Sequence, residues 1–226
     1  LHLLSRRQRQ MCIRDSCYTY LISDRGAYDT FPLTAGNGSY ALQVLENVAG
    51  DTYTVSLAQS INVSIEDEFL PFLYPNQYVN FHTDSKAVSK GSDLAKDTYS
   101  DLDVVQNIYN YVIKNISYDT EKAQNVSYGY VPDIDDTLSS KKGICFDYAA
   151  LMTSMLRSQN IPTKLEVGYS GDAYHAWIST YIDDKGWVDD IIQFNGNTWQ
   201  IMDPTLAATN DSAAVKKYAV SYTHLT

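Results

Sequence analysis

The sequence predicts an α+β protein: a small all-β module, then a domain of helices packed on an antiparallel sheet. Two observations carry this. The early runs 40–48, 51–59 and 61–67 alternate apolar and polar side chains with the period of two that turns one strand face to a core. Later, an apolar helical stretch at 145–158 is followed by strand-like runs at 162–169, 175–182 and 197–203, the layout of a helix facing a sheet.

Composition bounds the rest. The 226 residues allow one large or two small domains, and 44% apolar with 19% charged residues excludes a disordered chain. With 27 acidic against 17 basic side chains the net charge is −10, which repels phosphate backbones, so nucleic acid is not an expected partner. No apolar run approaches the ~20 residues of a membrane-spanning helix, so no membrane span is expected. The 19 Tyr suit strand-rich, partly exposed surfaces.

Taken in order, the elements are these. Residues 1–17 and 216–226 read as non-native tails, because RQRQMCIRDS and VSYTHLT resemble translated sequencing-adapter read-through and the apolar patch precedes the basic cluster, the wrong order for a secretory signal. Residues 18–82 form the β module, with a hairpin turn at Ala49-Gly50-Asp51. The stretch 69–81 carries Pro71 and Pro75 and reads as an edge strand or a connection. Residues 83–99 read as a polar linker, and 100–215 as the second domain. Its first helix, 100–114, is capped by Ser100, with Leu102, Val105, Ile108, Tyr109, Val112 and Ile113 at helical spacing. A long polar loop is expected over 117–142. The next helix, 145–158, should be buried, and it ends before Pro162.

The chemistry centres on one thiol. Of three cysteines, Cys12 and Cys17 lie in or beside the expected tail and Cys145 stands alone, so no disulfide framework is expected. Cys145 starts its helix, where free N–H groups and the helix dipole lower a thiol pKa and could hold an oxyanion. A base is then needed, and His175, at the start of a strand, is the candidate; Asp203, ending a later strand before Pro204, could orient it.

GICFDYAALMTSMLRSQNIPTKLEVGY, YHAWI and WQIMDPT, in this order, resemble the bacterial transglutaminase-like superfamily, a papain-related group; KNISYDTEK at 114–122 extends the likeness less specifically. The resemblance implies a papain-like core with Cys145 as nucleophile, His175 as base and acid, and Asp203 as orienting carboxylate. Residues 18–82 are similar to β-sandwich modules that precede such domains in bacterial surface proteins, which implies an extracellular or cell-surface setting.

In the family the H-A-W strand turns directly into the strand ending D-P-T, whereas here residues 183–197 intervene. We expect 175–181 to pair directly with 198–203 and 183–197 to form an excursion. Tyr118 is the candidate side-chain donor for the oxyanion. Trp177 shares a strand face with His175 and could wall the cleft or fill the core. Asp147, in the first helical turn, reads as structural. The acidic loops 133–136 and 183–184 lack an EF-hand pattern and read as solvated charge, so no metal and no cofactor is expected. The function these readings imply is cysteine-dependent acyl transfer on a protein or peptide amide through a thioester, with hydrolysis favoured over crosslinking. The alternative is a non-catalytic binding or structural module on the same scaffold. Oligomeric state is not legible.

Overall fold

The structure is a computed structural model that describes residues 7–13, 16–22, 28–170, 173–183, 185–194, 199–200 and 220–223. The chain divides into two compact units, Leu1–Pro71 and Phe72–Thr226.

The first unit is a four-stranded antiparallel sheet of β1 (Arg7–Ile13), β2 (Ser16–Leu21), β3 (Gly38–Ala49) and β4 (Thr52–Val63), in the order β2-β1-β3-β4. The hairpin expected at 49–51 joins β3 to β4, with Gly50 in the left-handed region (φ 55°) and Asn47 Nδ2 donating to the Gly50 carbonyl at 2.7 Å. The runs 51–59 and 61–67 are not two strands, since pairing continues through Ser60 opposite Ala41. The segment expected as a tail supplies β1, which pairs with β3 from Arg7 opposite Glu46 to Cys12 opposite Ala41, and buries Met11 and Ile13. Cys12 lies opposite Cys17 in the β1–β2 register and is joined to it by a disulfide, contrary to expectation. The described residues of this unit form one sheet; the second sheet of a sandwich is not among them.

The second unit begins with α1 (Lys86–Leu94) and α2 (Asp101–Asn115), then β5 (Ser117–Tyr118), α3 (Thr120–Asn125), α4 (Ile134–Ser140), β6 (Lys142–Gly143) and α5 (Cys145–Ser158). The sheet follows: β7 (Thr163–Ser170), β8 (Ala173–Ile182), β9 (Gly186–Phe194), β10 (Trp199–Gln200) and β11 (Val220–Thr223), in the order β10-β9-β8-β7-β11, every pair antiparallel. α5 has the bounds read from the sequence and is buried along most of its length. Its Ala149, Met152, Met155 and Leu156 share one core with Val105, Ile108 and Val112 of α2, Leu165 and Val167 of β7, and Ala176 and Ile178 of β8. Ser100 caps α2, accepting from the Asp103 N–H.

Three expectations give way here. The linker 83–99 contains α1, whose polar residues hide a small-residue contact: Ala87 and Gly91 are buried, and Gly91 lies against the backbone of Met155. The loop 117–142 contains β5, α3, α4 and the start of β6, and its acidic group is not merely solvated. Asp133 caps α4 by accepting from Asp135 and Asp136 N–H, while Asp135 accepts from Lys86 and Ala87 N–H at 3.0 and 2.9 Å and so caps α1. Residues 69–81 hold no strand, and 72–81, read as the end of the first module, lie in the second unit: Val79 is in its core, and buried Arg157 donates to the Tyr74 carbonyl at 2.8 Å.

Gly91 gives a direct test. A Cβ there would lie 3.1 Å from the Met155 carbonyl oxygen and 3.2 Å from its Cα. Gly91→Val should therefore push α1 off α5 and cost about 1–3 kcal/mol, read as a lowered thermal midpoint, with Gly91→Ala losing less.

Candidate active site

Cys145 is the first residue of α5, and the residue before it, Ile144, is extended (φ −94°, ψ 175°). The chain thus turns from extended to helical at the thiol, among the N–H groups that a first turn leaves unbonded. Backbone N–H groups of Ala176, Phe146 and Cys145 itself act on the sulfur. Ala176 follows His175 in β8, so the fold brings the start of β8 to the start of α5. Burial pushes the Cys145 thiol above its ordinary value, the Asp147 charge adds to that push, and the backbone donors oppose it. Desolvation of the sulfur thus outweighs the backbone donors that act on it.

His175 is half-buried, opposite Gly168 of β7. Burial holds its imidazole below the ordinary 6.5, and its Nδ1 is buried with no hydrogen-bond partner among the described residues. Asp203 lies outside the described residues. The expected direct pairing of 175–181 with 198–203 is overturned, because β8 pairs with β7 and β9, and β10 pairs with β9. Residues 186–194 are rich in apolar and β-branched side chains and make a middle strand rather than an excursion.

Tyr118 stands in β5 opposite Gly143 of the parallel strand β6, two residues before Cys145, and Asp119 N–H donates to the Gly143 carbonyl at 2.9 Å. Burial raises the Tyr118 phenol, and the charges of Cys145 and Asp147 raise it further. Trp177 is 3% exposed, which fits the packing role. Phe146 packs its ring against Tyr78 and Tyr130, with centroids 5.5 and 6.4 Å away.

The part that sequence reading missed surrounds Asp147. This carboxylate is wholly buried and accepts from Ile144 N–H at 2.8 Å, Lys122 Nζ at 2.7 Å and the Tyr130 hydroxyl at 2.5 Å. Gly143 makes room for it, since a Cβ there would come 2.7 Å from Asp147 Cβ. Lys122 lies in the KNISYDTEK segment and Tyr130 in the supposed loop; the signal for Lys122 was its place just after Asp119, which caps α3. No group of three or more His, Cys, Asp or Glu among the described residues could hold a metal ion, and no described helix is long and apolar enough to cross a membrane.

Residues 89–189 match the family model described as the transglutaminase-like superfamily. The chain is similar to UPF0252 protein MJ1282 of Methanocaldococcus jannaschii, 30% identical over 118 residues covering 45% of this chain and 34% of that protein. It is similar also to the kyphoscoliosis peptidase of Mus musculus, 26% identical over 144 residues covering 58% of this chain and 20% of that protein. The chain therefore spans about a third or less of the curated relatives named. Among solved structures, a candidate cysteine protease from Cytophaga hutchinsonii overlays with a TM-score of 0.47 at 16% identity, covering 81% of this chain and 70% of that one.

The imidazole carries a stability prediction. Because the unfolded chain takes up the His175 proton more readily than the folded one, stability should fall as pH drops below 6.5. His175→Gln should flatten that fall, measured as urea midpoints at about pH 7 and about pH 5.

Proposed function

We propose that the second unit is a cysteine-dependent enzyme acting on protein or peptide amides. The observation that supports this reading is the backbone N–H of Ala176 acting on the Cys145 sulfur, which sets the strand bearing His175 against the helix that begins with the thiol. A raised thiol and a lowered imidazole favour an uncharged resting pair, so the proton moves as the sulfur attacks rather than before. In the acylation step the Cys145 S–C bond forms, the thiol proton passes to His175, and His175 returns it to the nitrogen as the C–N bond breaks. Water then attacks the thioester, and the S–C bond breaks to release a carboxylate; an amine in its place would give a crosslink. Hydrolysis is the favoured outcome because water needs no binding groove. The N–H groups of Cys145 and Phe146, with the Tyr118 hydroxyl, are the proposed oxyanion donors.

Asp203 enters the proposal as the orienting carboxylate through its M-D-P-T motif. β10, which ends at Gln200, lies on the far side of β9 from β8. A cell-surface setting belongs to the same proposal and is supported by the β-sheet unit ahead of the domain.

Mass spectrometry of peptides after incubation tests the reading, since cleavage, loss of ammonia and an isopeptide link change mass differently. Turnover should be lost in Cys145→Ser and fall at least about a hundredfold in His175→Ala. Asp203→Ala should also slow it; an unaltered rate would remove Asp203 from the site. A chain inactive on every amide, like its Cys145→Ser variant, leaves the scaffold reading.

A further inference from the structure

We propose that Lys122 is a positioning residue for the nucleophile: it holds the helix cap Asp147 against the start of α5 and cancels the negative charge that this cap sets beside the Cys145 sulfur. The geometry has two halves. Asp147 is needed where it is, because its Oδ2 takes the Ile144 N–H at 2.8 Å and so fastens the residue before the nucleophile to the helix's first turn. Yet a buried carboxylate two residues from a thiol opposes the negative charge that the sulfur gains as its proton leaves, and the Asp147 charge does act on Cys145 in that direction. A capping group without charge would avoid the conflict but would also forgo the stronger hydrogen bond of a carboxylate.

Lys122 resolves it. Its Nζ lies 2.7 Å from the same Oδ2, and its side chain is 28% exposed while that of Asp147 is fully buried. Burial works against the ammonium, but its hydrogen bonds to Asp147 and Tyr130 and the Asp147 charge outweigh that, so Lys122 stays charged. Tyr130 shares the carboxylate from the other oxygen; burial and the bond to Asp147 push its phenol up to about 12, so it remains a neutral donor. The groups that interact electrostatically with Cys145 are thus Asp147 from α5, Tyr118 from β5 and the backbone of Ala176 in β8, next to His175. Lys122 from α3 and Tyr130 are bound to Asp147.

The two partners of this ion pair are predicted to act in opposite senses, which no purely structural account allows. Breaking a structural bridge from either end should disturb the site in the same direction. If charge compensation is the role, Lys122→Met leaves Asp147 uncancelled and moves the Cys145 titration midpoint up, by up to about one unit. Asp147→Asn removes the opposing charge and moves it down by a similar amount. Tyr130→Phe breaks a hydrogen bond of the same cluster without changing its net charge and should leave the midpoint nearly in place, and Lys122→Arg should restore it.

The measurement is the rate of iodoacetamide alkylation against pH, corrected with Cys145→Ser, with the ultraviolet absorbance of the thiolate as a second readout that does not require reagent access. Shifts of the same sign in Lys122→Met and Asp147→Asn, or a Tyr130→Phe shift as large as that of Lys122→Met, would overturn the inference. Should Asp147→Asn fail to fold, the upward shift in Lys122→Met and its reversal in Lys122→Arg decide alone. The inference rests on Cys145 as the nucleophile, but the titration reads the sulfur itself. Failure to turn over any amide would therefore sink the proposed function and not this charge account.

Discussion

The second unit depends on how the first turn of α5 is held. N–H groups of that turn act on the sulfur, and the buried N–H just before them, that of Ile144, needs a partner of its own. The solution is a carboxylate from inside the helix, Asp147, folded back onto the Ile144 N–H, with Gly143 bare of a side chain to let it pass. Tyr148, the next residue, sends its hydroxyl to the Ile116 carbonyl at the end of α2. Two adjacent side chains thus pin the helix start to the elements before it, with Cys145 beside them partly buried.

The same constraint explains why the segment between α2 and α5 is structured. A strap of polar residues would have little reason to lie down on its own, but Lys122 and Tyr130 are drawn in by a buried charge that needs donors. α3 and α4 are short helices, each started by an aspartate cap, Asp119 and Asp133. Asp135 reaches further and caps α1, so one acidic stretch organises two helix beginnings. The electrostatics of the site and the folding of the strap are therefore one problem, and a change in either Lys122 or Asp147 touches both.

Sequence reading succeeded where a single periodicity or motif carried the information. α2 and α5 appeared with nearly their observed bounds because their apolar residues repeat with helical spacing and because Ser100 and Pro162 mark their limits. The strand β3 appeared because it alternates, and β7 and β8 because strand-like runs there are separated by turn residues. It failed at α1, whose buried face is made of Ala87 and Gly91 rather than large apolar side chains, so no hydrophobic stripe announces it. It failed again at β9, which was read as an excursion because the spacing of a family motif was allowed to overrule a run of strand-forming residues.

Read alone, the sequence determined the fold class, the helix that begins at Cys145, the strand that begins near His175 and the order in which they come, because these depend on local spacing and on residues near one another in the chain. Tertiary structure decided the rest. Whether the thiol is raised or lowered turned on how deeply it is buried, which strand lies beside β8 turned on pairing across the sheet, and the role of Asp147 turned on donors that arrive from 25 and 17 residues away. None of these is a property of local sequence, since each is an energy of burial or pairing that exists only once distant segments have come together.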